Sequence, residues 1–537
     1  MAEGKWLSVK DLGHLGLISA VFRELGLVEK IDEMLPKESP NMHISHGEAV
    51  LAMVLQALGY TCQRMYLSPR YFSGVAVENL FGRDLSPGWM NARVLGRTLD
   101  AIFEYGATSF LANLCMRVVS DHKLLKKFVY MDTTSLSVTG RKYKNDGNFR
   151  LAHGYSKDHR GDLKQLVFLL ATTQEGLPVF AKAEDGNASD GEVFREALSE
   201  IQYRMESELD GKFFVLDSSL YSRKFLNSSE VSGYWISRVP ESVKDCRIYL
   251  EQNPKDLYWN QLDEDYSYRV IRGVRYGRKA QRWILVDHRP SRYKELATFK
   301  AKIEKSKKAL IKAQRRLGRV IFKERADCQS VIKDLRKIHR YFVITPTLIG
   351  QYRQSRGSKR KVLTGYNVHI SFRKNGPRIR KMERRKGKFI LATNSLDKKK
   401  ASAAEVIEAY RGRNRSIEGC FKFLKDRRKC LNQIYLKKES RIEAMLMVMS
   451  LLIFVNNFAQ NRLRKVLEKK GQSIPNQLGG KTRKPSFSWV SELMRSVHKV
   501  VGYVKEDYFS ELTGISRVQR QIIKAFGSHA EEIYGFP

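Results

Sequence analysis

The sequence predicts an α/β protein with helical flanks, and three observations predict it. FVYMDTTSLSV and FFVLDSSLYS are short apolar runs that reach an aspartate, at Asp132 and Asp217. Between them lie two more apolar runs around a turn, then a stretch with helical spacing. Far downstream, AYRGRNRSIEGCFKFLK is amphipathic and carries Glu418 on its polar side. Two strand-end aspartates and a helix glutamate suit hard divalent cations, which take oxygen ligands. Two such cations about 4 Å apart can clamp the attacking and leaving oxygens of a phosphodiester.

Residues 1–122 read as a helical N-terminal domain and a candidate for binding DNA ends. Leu12, Leu15, Ile18 and Phe22 recur at helical spacing, as do Leu51, Val54, Leu55 and Leu58. Pro36, Pro40, Pro69 and Pro87 punctuate them. The pattern changes in residues 123–240. FVYMD predicts a buried strand, and the runs LVFLLAT and LPVFAKA flank Gln174-Glu175-Gly176 as a hairpin. Ser189-Asp190-Gly191-Glu192 has the form of a capping box. Phe194, Leu198, Ile201 and Met205 follow at helical spacing. FFVLD and the stretch from Tyr234 to Val239 predict further strands. Strand, strand, strand, helix, strand, helix, strand is the order of a ribonuclease-H-like sheet. In such a sheet the first and fourth strands are parallel neighbours, which sets Asp132 beside Asp217. Like charges that close are costly unless a cation neutralises them.

Residues 241–390 predict a basic insertion domain. Residues 296–340 have the charged pattern of a helix pair. Residues 351–388 hold fourteen Lys or Arg and one acid, Glu383, with Tyr352, Tyr366 and Phe372 interleaved. Most charge runs are solvated faces. The near-absence of acid favours a phosphate-tracking surface, with Arg378, Arg380, Arg384 and Arg385 as candidate DNA contacts. Residues 391–470 return to the core. KFILATN predicts a strand, Ser402-Ala403-Ala404-Glu405 a second capping box, and Gly412 a break or kink in the helix that follows. Ile417, Cys420, Phe421 and Leu424 mark its apolar side, while Glu418, Lys422 and Lys425 share the other. The lysines can pair with Glu418 or hold a phosphate beside it. The apolar run from Ala444 to Val455 is too short for a membrane span, which needs roughly 20 residues, and reads as a buried helix. Residues 471–537 form a C-terminal region with a candidate role in assembly.

Composition points to a polyanion as partner. The 537-residue chain carries 97 Lys and Arg against 57 Asp and Glu, a formal net charge of +40. Each neutralised phosphate releases condensed counterions, so such an excess favours nucleic acid. An apolar fraction of 42% is too high for a tail-like binder. Six scattered cysteines form no CxxC pair, which argues against a zinc site and a disulfide framework. MAEGKWLSVKDLGHLG lacks the layout of a signal peptide. A cytoplasmic, nucleoid-associated protein with no membrane contact is expected.

Taken together, MDTTSLSV, GYSKDHRGDLKQ, DGNASD, VLDSSLYS, ISRVP, LATN and YRGRNRSIEGCFKFLK resemble a DDE transposase of a prokaryotic insertion sequence. The type is the IS-four superfamily, with its Tyr-Arg-Glu-Lys signature. The resemblance implies a ribonuclease-H-like core interrupted before the glutamate helix, and cut-and-paste DNA transposition. It implies Asp132, Asp217 and Glu418 as catalytic ligands of two Mg2+ ions, with Mn2+ as a substitute. Tyr410, Arg413, Arg415, Lys422 and Lys425 would contact DNA. The implied partners are terminal inverted repeats, target DNA, and a second copy of the chain once assembled on DNA. One spacing departs from the signature: glutamate should follow arginine by four residues, yet Glu418 follows Arg413 by five. Arg415 is therefore a rival for the arginine's role. Two other functions fit the same residues: a non-catalytic DNA-binding relic, and a ribonuclease-H-like nuclease or resolvase without strand transfer.

Overall fold

The computed structural model describes residues 6–37, 39, 41–60, 64–139, 143, 145–155, 160–204, 210–227, 233–354, 357, 359–426, 438–504 and 507–536. The chain forms two compact units, Met1–Ile236 with Glu408–Pro537, and Ser237–Ile407. Five sequence segments thus reduce to two bodies. The helical front, residues up to 236 of the first expected core segment, residues from 408 of the second and the C-terminal region share the first, and the unit that holds the expected insertion spans 237–407.

In the first unit the chain opens with β1 (Trp6–Asp11), a strand that the helical reading of the N-terminus missed. The sheet that matters follows: β2 (Phe128–Val138), β3 (Lys164–Thr173), β4 (Pro178–Glu184), β5 (Phe213–Leu216) and β6 (Tyr234–Arg238). Their order is β4-β3-β2-β5-β6. β2, β3 and β4 are antiparallel neighbours, as the turn at Gln174-Glu175-Gly176 predicts. That turn closes through Gly176 N–H to the Thr173 carbonyl (3.0 Å), with Gly176 at φ +75°, a conformation glycine adopts freely. A helix, Asp190–Arg204, carries the chain over to β5, which lies parallel to β2. Parallel strands need such a crossover. β3 is buried along nearly its whole length, on both faces, so its sequence is a continuous apolar run and not an alternating one. Ser189 and Glu192 bond through their side chains (3.0 Å). Met205, Cys62, Cys430 and residues 156–159 of the GYSKDHRGDLKQ motif lie outside the described residues.

The helix Glu439–Lys469 is the spine of this unit. Its residues Ala444 to Val455 are buried, and the helices Leu15–Glu24, His46–Leu58, Ala92–Tyr105, Ala107–Asp121 and Arg517–Phe526 pack against it. It is long and apolar enough to cross a membrane, but its apolar window is enclosed by protein. Asp100 fixes one neighbour to it by a two-pronged bond from Arg441 (2.6 and 2.7 Å). Arg441 holds the Asp100 carboxyl below its ordinary value.

The second unit holds β7 (Asn260–Gln261), β8 (Tyr266–Tyr276), β9 (Lys279–His288), β10 (Phe342–Gln354), β11 (Lys361–Lys374) and β12 (Lys388–Thr393). β12, β9, β8 and β7 are successive antiparallel neighbours. The expected helix pair is present as Arg289–Leu317 and Arg325–Ile338. It packs with Phe342, Ile344, Val368 and Ile370 from the root of the β10–β11 ribbon. The first unit is completed by β13 (Ile474–Pro475), β14 (Lys481–Thr482), β15 (His498–Val504) and β16 (Asp507–Leu512), with β1 pairing to β15.

The glutamate helix, Ala403–Leu424, starts at the expected capping box. Glu405 N–H donates to the Ser402 hydroxyl (3.1 Å), and Ser402 N–H to the Glu405 carboxylate (2.8 Å). It does not break at Gly412. The glycine serves closeness instead: a Cβ there would stand 2.5 Å from the Tyr130 hydroxyl. Gly412→Ala should therefore lower unfolding stability by about 1–3 kcal/mol, the usual cost of overpacking. Tyr130→Phe in the same chain should recover much of the loss, because it removes the atom the new methyl meets. Denaturant titration of the single and double variants measures both.

Glu439, at the start of the long helix, is fully buried. Burial raises its carboxyl pKa, opposed in part by the Leu151 amide. A raised folded-state value means the folded protein holds this proton more tightly than the unfolded chain does. Stability from this group is present at low pH and falls as pH rises through the raised value. Glu439→Gln should accordingly be more stable than the parent at pH 7, and the advantage should vanish near pH 4 in paired melts.

Candidate active site

Asp132 and Asp217 stand in equal register on parallel strands. Phe128, Val129 and Tyr130 pair with Phe213, Phe214 and Val215. Two residues beyond the last pair lie Asp132 and Asp217, on the same face of their strands because side chains alternate. The strands differ after that point. β5 ends at Leu216, so Asp217 is a strand-end residue as expected. β2 runs on to Val138, held by β3 alone, so Asp132 lies mid-strand opposite Leu170.

One cation joins them. Arg413 reaches from the glutamate helix with Nη2 2.6 Å from Asp132 Oδ2 and Nη1 3.5 Å from Asp217 Oδ1. Arg413 is 8% exposed. Burial alone would lower its pKa; the charges of Asp132 and Asp217, with Tyr410 and Glu418 behind them, outweigh burial and raise it. Asp132 also accepts a bond from the Thr133 amide (2.9 Å). The side chain of Asp132 is largely enclosed, while that of Asp217 is 40% exposed. Tyr130 closes the floor under Gly412. Its own burial pushes its hydroxyl up to about 12, with Arg415 pulling weakly the other way.

The structure does not bring Glu418 to the aspartates. It is exposed, and its charge reaches Arg413 without a contact to either carboxylate among the bonds described. Among the described residues, no three His, Cys, Asp or Glu side chains gather where a metal could sit. The cause is helical phase. The residue four after Arg413, where the signature has its glutamate, is Ile417, which is buried. Glu418 comes one residue later, about 100° further round. The helix runs unbroken through Gly412, so no local shift there returns Glu418 to the earlier phase.

The other predicted contacts divide. Of the two candidate arginines, Arg413 meets the aspartates and Arg415 is exposed. Arg415 and Lys422 line a cleft of about 580 Å³ with Gln174, Asn457, Arg464 and Ser486. Tyr410 is half-buried on the same helix, and Lys425, half-buried too, is the turn residue just past its end. Arg378 and Arg380 are exposed and Arg384 is half-buried. Arg385 forms ion pairs with Glu241 (3.3 Å) and Glu251 (3.9 Å). Tyr130 was missed by sequence reading. The buried role of Arg413 did leave a signal: it interrupts an apolar stripe formed by Val406, Ala409, Ile417, Cys420 and Leu424. A cation inside such a stripe must have a buried acid to meet.

Comparison with protein families finds a match to a family described as "Domain of unknown function (DUF4277)", over residues 7–116. It covers the N-terminal helical region and ends before Asp132. A comparison with curated proteins finds no match.

Removing one partner of a buried ion pair costs about 3–5 kcal/mol, less where a member is exposed, as Asp217 is. Arg413→Met should therefore lower stability by about 2–4 kcal/mol in metal-free buffer. Adding Asp132→Asn should restore part of it by removing the charge left behind. An unchanged urea midpoint for Arg413→Met would mean that the triad contributes nothing to folding.

Proposed function

We propose that this protein is a DDE-type DNA transposase, with a ribonuclease-H-like core that cuts and joins DNA strands using divalent metal. The observation that carries the reading is the pair of aspartates held abreast by the parallel β2 and β5. The order β4-β3-β2-β5-β6, third-second-first-fourth-fifth along the chain, supports the ribonuclease-H-like assignment. The net charge of +40 supports DNA as the substrate.

The donor set suits magnesium or manganese. Magnesium commonly takes one or two carboxylates and completes its shell with water and phosphate oxygens. Asp132 and Asp217 would hold it, and Glu418 would join only if the helix turned by about one residue, some 100°. Bound there, the metal pair would activate a water or a 3′-hydroxyl and neutralise charge at the scissile phosphate. The chain's own part is positioning. β2 and β5 fix the two carboxylates, and Arg413 neutralises them until they are needed. Arg413, released from the aspartates, is then at hand to grip a phosphate, as guanidinium does in two-pronged fashion.

The decisive assay is magnesium-dependent cleavage of DNA taken from the sequences that flank the gene. Asp132→Asn should reduce cleavage to background and leave binding of the same DNA intact. Loss of both would make Asp132 structural. Glu418→Gln should also lose cleavage if the helix turns, and retain it if the two aspartates suffice. A second reading has one observation in its favour: Arg413 fills the space between the aspartates while Glu418 stands outside. That is the arrangement of a DNA-binding relic without catalysis, and it predicts no cleavage from the parent protein under any metal. Cleavage without joining of a free 3′-end to a second duplex would mark a nuclease or resolvase.

A further inference from the structure

A buried cation is costly without an acid against it, and the second unit contains one that meets no acid among the described residues. Lys388, the first residue of β12, is 3% exposed. Its ammonium donates to the carbonyls of Leu250 (3.4 Å) and Gln252 (3.1 Å), at the end of the helix Lys244–Glu251. It lies 6.0 Å from the Trp259 ring. Burial first, then the charges of Arg292 and Arg384, push its pKa down to about 8.

The nearby acids are taken. Asp287, opposite Lys388 across the ladder to β9, pairs with Arg292. Glu251 pairs with Arg385, and Glu295 faces Lys386 (3.9 Å) and the Gly387 amide (3.3 Å). Lys388 borders a pocket of about 360 Å³ shared by Arg292, Lys300, Arg380 and Arg384, with Glu383 as its one acid. The approach of these cations is built in. Gly387 has φ +73°, and a Cβ there would collide with Arg292, so glycine lets β12 enter beside the Arg292 helix.

We propose that this pocket is a binding site for a phosphate group. With Arg292 met by Asp287, four further cations face one lining acid, which calls for a ligand of about two negative charges, and guanidinium forks beside an ammonium match a tetrahedral oxyanion. The site lies wholly within the second unit and stands whether or not the aspartates cleave DNA. Its phosphate comes either from a polynucleotide backbone or from a small phosphorylated molecule.

Calorimetric titration of the full-length protein tests this, with sulfate and pyrophosphate as probes. Sulfate keeps its charge across the range, so its binding reports the protein's own titration. Affinity should fall about tenfold between pH 7 and pH 9, as Lys388 loses its proton near 8. Lys388→Met should weaken sulfate binding about tenfold at pH 7 and abolish that pH step. Arg384→Gln, a half-exposed position, should also weaken it and guards against a folding artefact. Duplex DNA separates the sources. If DNA displaces pyrophosphate, and Lys388→Met flattens the log–log salt dependence of DNA binding by about 0.9, the phosphate belongs to a polynucleotide. If pyrophosphate binds equally with DNA present and the slope is unchanged, the ligand is a small phosphorylated molecule. Absence of sulfate and pyrophosphate binding at millimolar concentration, or binding indifferent to both substitutions, overturns the proposal.

Discussion

Two carboxylates forced abreast set the terms for the first unit. The register of β2 against β5 leaves Asp132 and Asp217 no way to avoid each other. Their charge must be met, and Arg413 meets it at 2.6 and 3.5 Å. That demand fixes where the glutamate helix crosses the sheet. It explains why a guanidinium interrupts an apolar stripe. It also accounts for a glycine in mid-helix, since the helix must come close enough over Tyr130 for Arg413 to reach both acids.

The second unit shows the opposite imbalance. There cations crowd around Lys388 and most acids nearby are engaged elsewhere. In the first unit two acids meet one arginine, and in the second five cations and one acid, Glu383, line one pocket, with Arg292 also paired to Asp287. Neither arrangement is what a fold optimised only for stability would choose, because incompletely paired charges in enclosed positions are expensive.

Much of this was legible in the sequence because it rests on local pattern. The β3–β4 hairpin followed from its apolar runs and turn residues. The parallel placement of β5 followed from the helix that precedes it. The capping box at Ser402 and the helix pair near residues 296–340 were local signals as well. What escaped depended on long-range contact. β1 was missed because its partner β15 lies almost five hundred residues away. Gly412 was read by its helix-breaking tendency, yet tertiary closeness to Tyr130 decided its role. The position of Glu418 turned on whether one extra residue would be absorbed, and a regular helix does not absorb it. The basic run from 351 to 388 was visible as charge, but whether each arginine faced solvent, a pocket or an acid depended on folding. Arg385 shows this most clearly.

The distance in sequence between the aspartates and their arginine has a consequence for synthesis. Asp217 and Arg413 are 196 residues apart. At roughly 5–20 residues per second, a ribosome needs about 10–40 s to cover that interval. The whole second unit is made in that time, and β2 and β5 are already available to pair. For that period both acids exist and Arg413 does not. The second unit, rich in lysine and arginine, is made before Arg413 is. Compact, locally connected elements such as its helix pair and hairpin ribbon are the kind that form on that timescale.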